Sequence, residues 1–123
     1  MEMINGCTII ARPEASDGPV TFGPEETGGA FLAMVGGGEP GQPGPPMHVH
    51  PTTDETFFVS HGELTCQLGD RQVHVHPGGM VFIPRGRQHT ARASGEETLS
   101  GILFISPGDV EHEFVPVDES SSD

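Results

Sequence analysis

The sequence contains no Trp, no Tyr and no Lys, and all five of its basic residues are Arg. Without Lys the chain has neither a Schiff-base nucleophile nor the lysine of a Walker-type phosphate loop. The net charge is −13, because 18 acidic residues outnumber the arginines. Such a field repels nucleic-acid backbones and anionic membranes, so we expect neither among the partners of this protein.

Cysteine and long apolar runs are also scarce. Cys7 and Cys66 form no CxxC pair, and free thiols in a reducing compartment are the expected state. No apolar run approaches the roughly 18 residues that a membrane-spanning helix needs. The first ten residues, MEMINGCTII, lack the basic and apolar regions of a signal peptide. These features predict a cytoplasmic protein.

Glycine and proline are abundant, with 18 and 12 copies, and both residues weaken helix interiors. Short strands of about five residues joined by tight turns are typical of an all-β sandwich or barrel. A chain of 123 residues suits one domain, which we expect over residues 1–117, followed by an acidic disordered tail over 118–123. The segments predicted as strands are CTIIA, AFLAMV, ETFFVS, LTCQL, QVHVH, MVFIP, HTARA and LSGILFIS.

Two histidines, His48 and His50, share one face of a predicted strand, because side chains alternate along a strand. Their spacing allows both imidazoles to approach one ion at about 2.0–2.2 Å. A second pair, His74 and His76, lies in a strand whose valines are the natural inward residues, so we expect that pair to be exposed. A lone HxH pair is more often solvated than metal-binding, and it leaves both interpretations open.

The residues that follow the first pair add further spacings, in the motifs HVHPTTDETFFVSHG and GGMVFIPRGRQH. Four residues separate His50 from Glu55, and six separate Glu55 from Gly62. Fifteen residues lie between Gly62 and Gly78, and the second motif ends at His89. These two motifs and their spacing resemble the pattern of the cupin superfamily.

The resemblance implies a single-domain cupin, a double-stranded β-helix or jelly-roll barrel whose motif core covers residues 44–93. It implies metal ligation by the residues at the family's ligand positions, His48, His50, Glu55 and His89. Asp54 is the rival carboxylate, but only Glu55 matches the spacing, and neighbouring strand residues face opposite ways. Asp54 is therefore expected at the strand edge. Ala93 stands where the second motif usually ends with a non-ligating Asn.

A finer resemblance lies outside the two motifs. The upstream segment EETGGAFLAMVGGGEPGQPGPP, with its TGG strand, and the downstream segment SPGDVEHEF are similar to the quercetin-dioxygenase-like branch of small cupins. This resemblance implies one divalent transition metal per chain, which is Fe, Mn, Ni, Co, Cu or Zn. It also implies a catalytic role for Glu55, as the base that removes a proton from a substrate hydroxyl.

The substrate pocket is expected to be apolar. Alternation with Glu55 places Phe57 and Val59 inside the barrel, and Met47 flanks the ligand strand. The arginines around His89 are expected on the rim. Further candidates for the lining, or for plain core packing, are Met34, Met80 and Phe104. Such a pocket suits a small apolar or aromatic substrate better than a sugar acid, which would need several cationic contacts.

Three functions remain open on the sequence. The first is a metal-dependent dioxygenase acting on an enolic or phenolic aromatic. The second is a non-redox metal-dependent isomerase or cyclase of secondary metabolism, and the third is a non-catalytic barrel that binds a small ligand. Exposed strand edges and the N-terminal CTIIA segment also predict a homodimer.

Overall fold

The computed structural model describes residues 1–14 and 20–117, so the predicted tail over 118–123 lies outside the described residues. The described residues form twelve strands and one short helix. Their bounds are β1 Glu2–Ile4, β2 Cys7–Ile9, β3 Thr21–Phe22, α1 Pro24–Thr27, β4 Leu32–Gly38, β5 His48–Val49, β6 Asp54–His61, β7 Glu63–Leu68, β8 Arg71–Val75, β9 Met80–Ile83, β10 His89–Ser94, β11 Leu99–Ser106 and β12 Val115–Pro116.

Ten of the strands in the described part form two antiparallel five-stranded sheets. One sheet has the order β12-β5-β10-β7-β8, and the other has the order β3-β4-β11-β6-β9. From β4 to β12 the chain passes repeatedly from one sheet to the other, which is how a double-stranded β-helix is built. The predicted all-β fold is therefore confirmed.

The core lies between the two sheets, where strand alternation directs one side chain in two. Val59 of β6 and Leu64 and Cys66 of β7 are its fully buried centre. Burial of aliphatic side chains of this size contributes about 1.5–3 kcal/mol each. Partly buried residues that pack against this centre are Phe57, Leu68, Val73, Val75, Val81, Ala91 and Leu99.

Strand β4 extends further than the sequence predicted. The predicted strand stopped before the Gly/Pro segment 36–46, but β4 continues through Gly38. A Cβ on Gly37 would stand 1.7 Å from the carbonyl oxygen of Leu99, and a Cβ on Gly101 would stand 2.0 Å from that of Phe58. Glycine at these positions therefore lets β4, β11 and β6 approach one another closely, a tertiary requirement that overrides the low strand propensity of glycine.

The TGG segment, expected as a strand, is instead the end of helix α1. Pro24 occupies the first helical position, and the backbone N–H of Gly23 donates to Glu26 Oε1 at 2.7 Å. Gly28 ends the helix with a left-handed φ of 64°. No helix in residues 1–14 and 20–117 is long and apolar enough to cross a membrane.

The first ten residues contain a hairpin that stands apart from both large sheets. Strands β1 and β2 pair across Asn5 and Gly6, which adopt the positive φ values of 53° and 77° that a tight hairpin turn requires. The predicted CTIIA strand is thus the second half of a two-stranded ribbon. Met3 and Ile4 of the ribbon are mostly exposed, at 74% and 56%, as is the preceding Met1 at 70%.

Candidate metal centre

The four residues at the motif positions come from both sheets and face the space between them. His48 begins β5 and lies directly opposite His89, the first residue of β10. Glu55 is the second residue of β6 in the other sheet, and His50 follows β5. All four are buried, with exposed fractions of 2–5%. The fold therefore brings together residues that are up to 41 positions apart in the sequence.

Four donor atoms, one from each of these side chains, lie within 4.8 Å of one another. Glu55 Oε1 is 2.7 Å from His50 Nε2 and 3.0 Å from His89 Nε2. The ring of His48 is 4.7 Å from that of His50 and 4.4 Å from that of His89, measured between centroids. This cluster is the only group of three or more such side chains that meets this spacing within the described residues.

Backbone carbonyls fix the tautomer of each imidazole. The Nδ1 atoms of His48 and His89 lie 2.8 and 2.9 Å from the carbonyl oxygens of Pro46 and Arg87, and His50 Nδ1 contacts that of Glu113. A carbonyl oxygen only accepts, so each Nδ1 carries the proton and donates it. In the neutral form of each ring, the Nε2 atom then presents a lone pair to the centre of the cluster, as in metal-ligating histidines.

The electrostatics of the cluster favour a positive charge beside the Glu55 carboxylate. Burial favours the neutral acid, but the hydrogen bond to His89 and the charges of His50 and His89 outweigh it and lower the pKa of Glu55. Burial likewise opposes a charge on His89, yet its hydrogen bond to Glu55 raises the pKa of His89. Burial lowers the pKa of His48, which keeps that ring neutral.

The cluster fits a divalent metal ion on the chemistry of its donors. Neutral Nε2 lone pairs facing a carboxylate oxygen at 2.7 and 3.0 Å gain nothing from each other unless a proton or a cation lies between them. Three imidazoles and one carboxylate form a mixed N/O set that suits first-row transition metals and disfavours ions that prefer thiolate. His48, His50, Glu55 and His89 are the residues that would hold it.

Asp54 points away from this cluster, as expected for a strand-edge residue. Its Oδ1 accepts from the backbone N–H of Arg85 at 2.9 Å and from Nε of the same arginine at 3.1 Å. The hydrogen bonds from Arg85 lower the pKa of Asp54 and hold the carboxylate at the surface. Adjacent carboxylates thus lie on opposite faces of β6, and only Glu55 reaches the interior.

An apolar cavity of about 440 Å³ opens from the cluster between the two sheets. His48, Glu55 and His89 border one end of it, and Phe57 and Val59 line it further along β6. Its other apolar walls are formed by Met34, Leu64, Ala91, Ala93, Leu99, Ile102 and Leu103. The small side chain of Ala93 therefore faces the cavity, where it leaves room that a larger residue would fill.

Three other expected lining residues lie elsewhere. Met47 is half-buried beside the ligand strand but does not border the cavity. Phe104 packs edge-on against Phe31, with ring centroids 5.9 Å apart, and also lies outside the lining. Met80 is 61% exposed, so its assignment to the lining or the core was wrong. Its side chain alternates outward because Val81 next to it packs on the core.

The second histidine pair lies on the outer surface, as the alternation of β8 predicts. The side chains of His74 and His76 are 53% and 67% exposed, and each Nδ1 lies near the Glu63 carboxylate, at 3.8 and 3.7 Å. Thr65 Oγ1 also shares a hydrogen bond with His74 Nδ1 at 2.9 Å. An HxH spacing by itself therefore does not separate a buried ligand pair from a solvated one.

Two residues near the cluster, His112 and Phe114, were not predicted from the sequence. Both belong to a segment that we call the strap, residues 108–117, which includes β12. The ring of His112 stacks on that of His50 at 3.8 Å, and the ring of Phe114 stacks on that of His48 at 4.2 Å. The only signal for them was the resemblance of SPGDVEHEF to a family segment, which carried no contact information.

Comparisons with known proteins agree with this architecture. A family model described as a Cupin domain matches residues 38–106, which is more than half of the chain. No curated protein matches the chain significantly in sequence.

Several solved structures share the fold. An uncharacterized conserved protein with a double-stranded beta-helix domain from Klebsiella pneumoniae is 24% identical, with a TM-score of 0.66 over 87% of this chain and 86% of that one. A cupin-like protein from Thermotoga maritima is 22% identical, with a TM-score of 0.66 over 83% of this chain and 78% of that one. A cupin-2 domain containing protein from Shewanella frigidimarina is 28% identical, with a TM-score of 0.53 over 63% and 71%. With the motif geometry and the family match, the chain belongs to the cupin superfamily.

Proposed function

We propose that this cupin is a metal-dependent dioxygenase that acts on an enolic or phenolic aromatic small molecule. The observation that supports it best is the buried cluster of three histidines and one carboxylate, of which His48, Glu55 and His89 border an apolar cavity. A bound redox-active divalent ion would supply Lewis acidity and one-electron chemistry with O₂ there. Residues of this chain would remove the substrate proton and bind the substrate.

Glu55 is suited to accept the proton of a substrate hydroxyl. Its lowered pKa keeps it a carboxylate at neutral pH, although burial acts in the opposite direction. The side chain borders the cavity, so a hydroxyl on an aromatic ring in the cavity would meet it without leaving the apolar walls. Removal of this proton yields the electron-rich enolate or phenolate that reacts with O₂.

The walls of the cavity support an apolar substrate. Its volume of about 440 Å³ falls within the range of small-molecule sites. Phe57, Val59 and Ile102 offer apolar surfaces for flat rings. Arg92 is the one arginine among the described residues that border the cavity, so a sugar acid would find few cationic partners.

The test is O₂ consumption by the metal-loaded protein with flavonols and smaller enols. We expect O₂ uptake that depends on substrate and metal, and a loss of at least about 100-fold in kcat for Glu55→Gln. Asp54→Asn is the matched control, because it changes the neighbouring carboxylate on the outer face, and it should retain activity within about threefold. Turnover without O₂ uptake would point to an isomerase or cyclase, and binding without turnover to a ligand carrier. Either result would contradict the dioxygenase.

We also propose that a second copy of this chain covers the N-terminal hairpin. Met3 and Ile4 expose most of their apolar surface on a two-stranded ribbon whose outer edges are unpaired within the described residues. Light scattering after size-exclusion chromatography should give twice the chain mass, and Met3→Glu should give a monomer. A monomeric parent protein at micromolar concentration would contradict the dimer.

A further inference from the structure

The strap ends in the edge strand of the sheet that holds the ligand strand β5, and it is attached at its start, middle and end. At its start the N–H of Gly108 donates to the carbonyl oxygen of Gly29 at 3.0 Å. Midway, Thr52 Oγ1 donates to the carbonyl oxygen of Glu111 at 2.8 Å. At its end, β12 pairs with β5, and the N–H of Val117 donates to the carbonyl oxygen of Met47 at 2.9 Å.

The strap makes its most specific contacts with His50. The carbonyl oxygen of Glu113 accepts the Nδ1 hydrogen of His50, and the ring of His112 lies nearly parallel to that of His50, at an angle of 20°. His112 is held in turn by Thr53, whose Oγ1 shares a hydrogen bond of 2.6 Å with His112 Nδ1. Thr53 is 1% exposed, so this hydrogen bond starts from a buried side chain. The strap therefore fixes both the tautomer and the plane of His50.

The strap also covers a second ligand. Phe114 stacks on His48 with an interplanar angle of 25°, and Pro116 of β12 lies opposite His48 in the sheet. In contrast, the Nδ1 of His89 donates within its own loop to Arg87, and Glu55 is held within β6. Of the four ligand side chains, His50 thus takes both its Nδ1 partner and a stacked ring from the strap, whereas His48, whose Nδ1 donates to Pro46, takes a stacked ring only.

We propose that the strap is a positioning clamp for the metal centre, in which His112 and Phe114 orient His50 and His48. This inference rests on metal binding by the four-residue cluster. Partners that orient ligating histidines typically change metal affinity by about 10- to 100-fold when they are removed. Because binding linkage is reciprocal, a metal ion bound to oriented histidines must stabilise the docked strap by the same factor.

The strap itself is only weakly held by packing, which makes this coupling measurable. Val110, Phe114 and Val115 remain 42–45% exposed, so docking buries little apolar surface. Segments with few buried contacts open locally at low free energy. A metal ion that favours the docked state should therefore lower the opening frequency of residues 108–117.

The first experiment measures Co²⁺ affinity by chelator competition, with the visible absorption of bound Co²⁺ as a second readout. We expect His112→Ala to weaken Co²⁺ binding by about 10- to 100-fold and to change the absorption bands at saturation, because His50 reorients. His112→Phe keeps a flat ring over His50 and should restore the affinity to within about threefold of the parent protein. Val110→Ala, on the same strap but away from both ligands, is the matched control and should bind like the parent.

The second experiment uses the unsubstituted protein and hydrogen exchange with and without Zn²⁺, with Mg²⁺ as an ion that this donor set does not favour. We expect Zn²⁺ to slow exchange in residues 111–117 by about tenfold or more, and Mg²⁺ to leave it unchanged. Equal Co²⁺ affinity for His112→Ala and Val110→Ala, or Zn²⁺-independent exchange in the strap, would overturn the clamp while leaving the metal centre intact. Equal loss in His112→Phe and His112→Ala would overturn the role of ring stacking and assign the effect to the hydrogen bond with Thr53, which both variants lose. Absence of Co²⁺ binding by the parent protein would overturn the clamp and the metal centre together.

Discussion

Two neighbouring glycines in β4 should respond oppositely to the same substitution. A Cβ on Gly36 meets nothing within 4 Å, whereas a Cβ on Gly37 stands 1.7 Å from the Leu99 carbonyl oxygen and 3.1 Å from Ser100 Cα. Neither glycine has a positive φ, so space alone distinguishes them. Gly37→Ala must push β11 away from β4 and should destabilise the fold. Gly36→Ala causes no clash and only lowers the conformational entropy of the unfolded chain, so it should stabilise the fold.

The magnitudes follow from the contacts. Separation of the strands at the Gly37–Ser100 pair weakens about two ladder hydrogen bonds at about 1 kcal/mol each. Displaced packing destabilises the variant by about 1–3 kcal/mol more. The lower conformational entropy of its unfolded chain acts in the opposite direction and stabilises it by about 0.4–1 kcal/mol. Gly37→Ala should therefore lose about 2–5 kcal/mol of unfolding free energy, which lowers Tm by roughly 8–20 °C. Gly36→Ala should gain about 0.4–1 kcal/mol.

The assay is thermal and urea unfolding followed by far-ultraviolet circular dichroism, since the sequence has no Trp or Tyr to report fluorescence changes. Chelator should be present so that metal binding does not add to the stability of one variant more than another. A difference between Gly37→Ala and Gly36→Ala of less than about 1 kcal/mol would refute the close approach of β4 and β11.

Two further predictions concern the interior. Ala93→Phe should place a ring in the cavity and weaken the binding of an apolar fluorescent probe by about tenfold or more. It should leave the metal content unchanged, and unaltered probe binding would show that the cavity does not extend past Ala93. Burial raises the pKa of the Cys66 thiol to about 11, so its thiolate fraction at pH 8 should be about 100-fold below that of a thiol with the ordinary value of 9.0. Disulfide-exchange reagents at pH 8 should therefore modify exposed Cys7 rapidly, whereas buried Cys66 should react only after denaturation. Two equally fast thiols in the native protein would contradict this environment.

Much of the fold could be predicted because its signals are local. Alternation of apolar residues located β8, β9, β10 and β11 closely, and motif spacing selected Glu55 over Asp54. The same alternation placed Phe57 towards the cavity and His74 on the surface. These inferences need only the period of two that a strand imposes on its side chains.

What the sequence could not supply depends on contacts between distant segments. The continuation of β4 through Gly38 depends on β11, some 60 residues later, whose carbonyl leaves no room for a side chain. The stacking of His112 on His50 depends on the path of an irregular segment, which has no periodicity to read. Helix α1 was missed because four residues are too few for a helical pattern, although Pro24 and Gly28 marked its ends.

The central claim is that four buried side chains hold one divalent metal ion, and metal content tests it most directly. Untagged protein purified without chelator should contain close to one Fe, Mn, Ni, Co, Cu or Zn per chain by plasma mass spectrometry, either as isolated or after loading with metal. His50→Ala should lose that metal, whereas His74→Ala, which alters the other HxH pair on the surface, should keep it. Metal far below one per chain after loading, or equal content in the parent protein and His50→Ala, would contradict the account.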